Sequence, residues 1–190
     1  MLLAIDTSAG TSVALLSEQG EILAERSTDD TRRHAEVLGE FLAELTPQQV
    51  SAVVVGVGPG PFTGLRVGIA AARGFAWGAE VPLRPVLSHD AIALERYEAG
   101  ESGALVVATD ARRRELFCSD YLGLEAGVPL RPEPPHIVAA EGSTLTLDTQ
   151  VRAARLAQVA IARQTAGLPL ESTEAVYLRS PDVTMPKVAS

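Results

Sequence analysis

The sequence predicts an α/β fold in two halves, on three observations. The first is a change of period: short apolar stretches separated by turn formers give way, after residue 33, to apolar residues recurring at three and four. The second is a β-branched run, 52–57, that enters a glycine-rich turn and leaves it as a helix. The third is a restart. Residues 104–109 again read as a buried strand ending in an aspartate, and sliding Asp6 onto Asp110 brings 12–16 onto 116–120. We therefore place the halves at 1–100 and 101–190, with the boundary in the glycine-bearing stretch 98–103.

Residues 2–5 are a continuous apolar strand, stopped by the turn formers Asp6, Thr7, Ser8, Ala9 and Gly10. Strands at 12–16 and 21–25 follow across short turns, which makes them antiparallel neighbours. In 34–45, Val37, Leu38, Phe41, Leu42 and Leu45 form one face of a helix and Glu36, Glu40 and Glu44 another, with an end near Pro47. The strand 52–57 leads through Gly58-Pro59-Gly60-Pro61-Phe62-Thr63-Gly64 into a helix over 64–77, then a strand at 83–86 and a helix over 88–97. In the second half, strands are expected at 104–109 and 115–121. The proline-rich 128–135 reads as loop or edge strand, and 150–165 as a helix spaced on Val151, Ala154, Leu156, Val159 and Ala162.

Composition narrows the function. The chain has 190 residues, 46% hydrophobic and 21% charged, which excludes a disordered or collagen-like protein. No uncharged apolar run is long enough to span a membrane, 53–65 being broken by Gly and Pro, and the first residues lack a basic leader. A lone Cys118 excludes a disulfide framework and a cysteine-based zinc site. A cytoplasmic protein is expected. The net charge of −8 is not that of an autonomous nucleic-acid binder, and Arg112-Arg113-Arg114 is the one basic triplet. If the chain serves RNA, a partner must hold it.

The residues that could carry chemistry each have two readings. Gly58, Gly60 and Gly64, between a buried strand and a helix, either point backbone amides at an anion or make a tight turn with Thr63 as a helix cap. The Walker-A pattern fails, because no lysine follows the last glycine. Asp6 and Asp110, each at a strand end, either face one another across a cleft and hold a hydrated magnesium and a phosphate, or cap their own turns. His89 has Ala93 four residues on, so no helical histidine pair exists there. Cys118, mid-strand, reads as a buried filler. No Gly-x-Ser-x-Gly elbow supports a serine hydrolase. The helix over 64–77 is apolar nearly all round, with Gly64, Gly68 and Ala72 four apart, so it is either interior or part of a subunit interface.

The opening Leu3-Ala4-Ile5-Asp6-Thr7-Ser8, then Arg33-His34-Ala35-Glu36, the glycine motif running into Leu65 and Arg66, Asp110-Ala111-Arg112 and Tyr177-Leu178-Arg179 occur in one order. In that order they resemble the TsaB (YeaZ) family of bacterial tRNA threonylcarbamoyladenosine biosynthesis proteins. The resemblance is close over 1–121, thin over 122–170, and returns at the C-terminal end. It implies the actin-like ATPase (ASKHA) superfold, with two lobes that each hold a mixed sheet flanked by helices. It also implies a non-catalytic partner of the paralogous enzyme TsaD, in a complex with the ATPase TsaE that places threonylcarbamoyl on the adenosine beside the tRNA anticodon. Three features depart from the family: Pro61 where a serine is usual, no glycine in Asp110-Ala111-Arg112, and a shortened second lobe.

The expectation is therefore a dimerising, activating subunit, a pseudoenzyme without catalytic or metal-binding residues. It would be a homodimer alone and a heterodimer with a TsaD paralog, meeting tRNA only through the complex and no membrane. It would require no cofactor, with at most weak ATP or ADP binding at a partner interface. The nucleotide or phosphate loop would comprise Asp6, Thr7, Gly58, Gly60, Thr63, Gly64 and Asp110. The interface would use His34, Leu38, Phe41, Leu65, Arg66, Gly68, Ala72 and Arg73, the two arginines meeting a partner's acids. The rival is a small ATP-dependent kinase or phosphohydrolase using Asp6, Asp110 and the glycine turn. A metallopeptidase, the "glycoprotease" label attached to these sequences, founders on the missing histidine pair.

Overall fold

The computed structural model describes residues 1–30, 33–45 and 49–179. A five-stranded sheet in the order β3-β2-β1-β4-β5 is formed by β1 (Leu2–Asp6), β2 (Thr11–Leu16), β3 (Ile22–Thr28), β4 (Ala52–Gly56) and β5 (Leu83–Val86). The first three strands are antiparallel, while β4 pairs parallel with β1 and β5. The side chains of β1 and β4 alternate between two cores. Leu3, Ile5, Val53 and Val55 face α1 (His34–Leu45) and α2 (Phe62–Gly78). Leu2, Ala4, Ala52 and Val54 face α3 (Ser88–Glu98) and α4 (Ala153–Thr165). Burial on both sides is why these strands are continuous apolar runs rather than alternating ones.

A three-stranded antiparallel sheet, β10-β7-β6, is made by β6 (Leu105–Asp110), β7 (Glu115–Tyr121) and β10 (His136–Ala139), and β8 (Leu124–Glu125) pairs with β9 (Val128–Pro129). The two Asp-ended hairpins share one register: Asp6 lies opposite Ser12 and Ile5 opposite Val13, as Asp110 lies opposite Leu116 and Thr109 opposite Phe117. The internal repeat is thus a repeat of pairing as well as of spacing.

Four expectations need correction. First, α2 begins at Phe62 with Pro61 in the capping position and no side-chain cap, so Thr63 lies inside the helix and caps nothing. Second, β10 follows the prolines directly, where a short run without alternation gave no strand signal. Third, a division at residue 100 does not partition the helices, because α4 packs on the first sheet. Its amides are fixed from there: Ala153 N–H donates to Ser12 Oγ (2.9 Å) and Ala154 N–H to Glu25 Oε1 (3.0 Å). Arg152 pairs with Glu25 and Glu95. Fourth, the C-terminal segment returns to the first half, where Val176 N–H donates to the Val57 carbonyl (2.8 Å). The expected end of the first helix at Pro47 lies outside the described residues.

Candidate functional site

Asp6 ends β1 beside the glycine turn and is 1% exposed. Its Oδ1 accepts from Ser8 N–H (2.8 Å) and Ser8 Oγ–H (2.6 Å), and its Oδ2 from Ser88 Oγ–H (2.6 Å). Burial pushes its carboxyl above the ordinary value, although Ser8 and Ser88 donate to it. Ser88 also accepts from Gly58 N–H (3.0 Å), tying the aspartate to the glycine turn. Thr7 Oγ donates to the Gly64 carbonyl (2.7 Å) and accepts from Gly68 N–H (3.1 Å), so the Asp6-Thr7-Ser8 turn is stitched to α2.

The glycines explain how this turn fits. A Cβ at Gly56 would lie 1.7 Å from Asp6 Oδ2, one at Gly60 2.9 Å from Ser8 Cα, one at Gly64 2.5 Å from the Thr7 carbonyl oxygen, and one at Gly68 2.3 Å from Thr7 Oγ. Every fourth residue from 56 to 68 lacks a side chain because the Asp6-Thr7-Ser8 turn occupies that space. The structure does bring Asp6, Thr7, Gly58, Gly60 and Gly64 together, but as a closed socket. Both Asp6 oxygens are engaged by Ser8 and Ser88, and Asp6 does not line the cavity between Ser8 and Asp110. Thr63 is exposed on the first turn of α2, outside this socket.

That cavity, about 240 Å³, is lined by Ser8, Asp29, Asp110, Arg112 and Asp148 among others. Asp110 is half exposed and turns back on its own loop, accepting from Arg112 N–H (2.7 Å). Three carboxylates against one guanidinium make this an unfavourable place for a bare polyphosphate. No group of three or more His, Cys, Asp or Glu side chains able to share a metal ion occurs among the described residues.

Several expected interface residues are interior. His34 is buried, shares a hydrogen bond with Thr11 Oγ through Nδ1 (2.9 Å), and burial holds its imidazole below the ordinary pKa. Leu38, Leu65 and Ala72 belong to the core between α1, α2 and the sheet, and Phe41 packs half-buried against it. Gly68 faces Thr7, so the small-residue strip admits the chain's own turn and no second helix. Arg66 and Arg73 do point outward, but toward the C-terminal segment: Arg66 Nε donates to Tyr177 Oη (3.3 Å), and Arg73 donates to the Thr173 carbonyl (2.7 Å) and pairs with Glu174 (3.3 Å). The surface left open on α2 carries Thr63, Ala70, Gly74 and Trp77, the last 86% exposed. Beside it, α1 leaves Ala35, Gly39 and Ala43 open together with Glu36, Glu40 and Glu44.

His89 is fully buried and braces α3 against the second sheet, its ring nitrogens 2.8 Å from Ser119 Oγ and 3.0 Å from Thr109 Oγ. Burial, with the nearby Arg131 charge, lowers its pKa to about 3. The adjoining Asp90 was not singled out from sequence. It accepts from Tyr121 Oη (2.7 Å), lies 3.6 Å from Arg131 and 3.8 Å from Arg163, and burial raises its carboxyl to about 6. Its partners are 31 to 73 residues away, beyond any local pattern. Cys118 is buried as a filler, with burial raising its thiol to about 11.

The TsaD family model, tRNA N6-adenosine threonylcarbamoyltransferase, matches residues 21–169. The tRNA threonylcarbamoyladenosine biosynthesis protein TsaB of Haemophilus influenzae is 42% identical over 128 residues, covering 64% of this chain and 53% of that protein. The chain belongs to the TsaD family, on its TsaB (YeaZ) branch. An uncharacterized protein from Mycobacterium leprae is 36% identical over 159 residues, covering 75% of this chain and 43% of that one. The chain thus spans about half the length of these curated relatives. The crystal structure of YeaZ from Pseudomonas aeruginosa shares the fold, with a TM-score of 0.73 at 24% identity over 93% of this chain and 99% of that one.

Proposed function

We infer that this chain is a non-catalytic scaffold or activating subunit of the machinery that makes threonylcarbamoyladenosine beside the tRNA anticodon. The observation that carries this reading is the closed socket. The aspartate that would serve a nucleotide is spent on Ser8 and Ser88, and the glycines that would cradle a phosphate hold the Asp6-Thr7-Ser8 turn. The family's TsaB branch supports the pathway. The equal register of the two hairpins supports a two-lobed actin-like fold with the second lobe reduced.

In this reading the chain works in the cytoplasm, pairs with a TsaD paralog and the ATPase TsaE, self-associates when alone, and reaches tRNA through the complex. The docking face consists of the outward sides of α1 and α2 centred on Trp77, rather than the inward strip at Gly64, Gly68 and Ala72. Tryptophan is enriched among the residues that anchor such faces. Trp77→Ala should weaken association with a TsaD paralog by about 2 kcal/mol, roughly thirtyfold, while leaving the melting temperature unchanged. Pull-down and calorimetry with the co-purified paralog read this, and undiminished association moves the interface elsewhere.

The second reading, a small ATP-dependent kinase or phosphohydrolase, would use the cavity between Ser8 and Asp110, whose three carboxylates weigh against it. ATP turnover by the isolated chain separates the two. The scaffold reading expects none, and metal-dependent turnover that disappears in Asp6→Ala would falsify it.

A further inference from the structure

A second cavity, of about 170 Å³, shares Pro61 and Arg112 with the first but differs in its walls. Phe62, Tyr177 and the largely buried Phe117 supply aromatic surface, Arg112, Arg113 and Arg179 supply guanidinium groups, and among the described residues no carboxylate lines it. In a chain of net charge −8 this is a marked local reversal. The Phe62 and Tyr177 rings pack on one another at a 36° tilt, and Tyr177 is 41% exposed. The Arg66 guanidinium stacks 3.7 Å above the Phe62 ring, whose centroid is 4.9 Å from that of Tyr177.

Flat aromatic faces beside arginines are what single-stranded nucleic acids bind, bases stacking while guanidiniums meet the backbone. The volume, below that of an ordinary small-molecule pocket, suits a single base with its sugar and phosphate left outside. We propose that this cavity receives one base of single-stranded RNA against its aromatic wall, with the adjoining phosphate at the rim on Arg112 and Arg113. This rests on the tRNA reading above and adds a direct contact to it.

Arg179 acts as the positioning residue. It donates to the Ala111 carbonyl (2.9 Å) and the Arg112 carbonyl (3.4 Å) and pairs with Glu115, holding the turn in place. An arginine has five N–H donors, so the rim arginines can meet a phosphate while keeping other partners. The neighbouring acids are engaged, Asp110 with Arg112 and Glu115 with Arg179.

Backbone geometry supplies a clean test. Arg112, Arg113 and Arg114 have φ of 64°, 53° and 61°, where glycine is relaxed. Arg113→Gly and Arg114→Gly therefore each remove one charge at a backbone position that suits glycine, and of these two only Arg113 lines the cavity. The full chain is titrated against a fluorescein-labelled 12-nucleotide oligoadenylate from 50 to 200 mM salt. Binding should be weak, with a dissociation constant of roughly 10⁻⁴ M. Arg113→Gly should weaken it several-fold and make the slope of log affinity against log salt shallower by about 0.7, while Arg114→Gly leaves both unchanged. Equal losses in the two variants, no binding by the parent, or binding of ADP but not of the oligonucleotide would each overturn the proposal. Association with a TsaD paralog is measured without RNA, so either reading can fail while the other stands.

Discussion

The buried His89 makes acid lability a quantitative expectation. Its imidazole titrates near 3 in the folded chain against about 6.5 when unfolded, because burial and Arg131 disfavour the cation. A group whose folded pKa is depressed contributes stability above its unfolded pKa and loses it as pH falls toward the folded value. At pH 5 the unfolded imidazole is protonated and the folded one is not. One pKa unit corresponds to about 1.4 kcal/mol, so the loss between pH 7 and 5 is about 2 kcal/mol.

Asp90 works in the opposite sense. Its folded pKa is raised to about 6, so it gains stability as pH falls through that range and flattens the total curve. The histidine is isolated by His89→Gln, which keeps a donor and an acceptor for Ser119 and Thr109 but does not ionise in this range. Urea unfolding followed by circular dichroism at pH 7 and 5 should show the parent losing about 2 kcal/mol relative to the variant. A difference that stays constant across pH would mean that the ring is not held neutral between α3 and the second sheet.

Two further perturbations probe the architecture. Gly68→Ala places a methyl group against Thr7 Oγ and disturbs its two hydrogen bonds, so it should cost about 2–4 kcal/mol of fold stability. A variant that unfolds at the parental urea midpoint yet loses its partner would restore that strip to an interface. Glu25→Ala removes the acceptor for Ala154 N–H and the main partner of Arg152. It should cost about 2–3 kcal/mol and accelerate amide exchange in the first turn of α4. Unchanged exchange there would show that the helix is held by packing alone.

The sequence reveals elements whose burial is periodic or continuous. The runs in β1 and β4 are legible because both faces are covered, and α1 because its Glu and Leu rows separate. The second hairpin is legible because the spacing from aspartate to returning strand repeats. In α2, apolar residues on every side leave periodicity unable to say which strip faces inward, and Thr7 decides it from about sixty residues away. The outward arginines show the same gap. Arg66 and Arg73 meet a segment around residues 173–177 that has no pattern linking it to them. The glycine motif also has identical residues whether it receives a phosphate or the chain's own turn, so its chemistry becomes readable only through Asp6 and Ser88.

The placement of α4 has a consequence for synthesis. A nascent chain emerges from the ribosome N-terminus first, and the first sheet is complete once β5 has appeared. One of its faces, carrying Leu2, Ala4, Ala14, Leu16 and Val54, must still wait for α4. For the time needed to make some eighty further residues, about 4–16 seconds at ordinary elongation rates, α3 alone is available to shield that face. The half-covered sheet is then an apolar surface suited to capture by a nascent-chain chaperone. A truncation before residue 153 would make the exposure permanent, removing a wall of the first half's core.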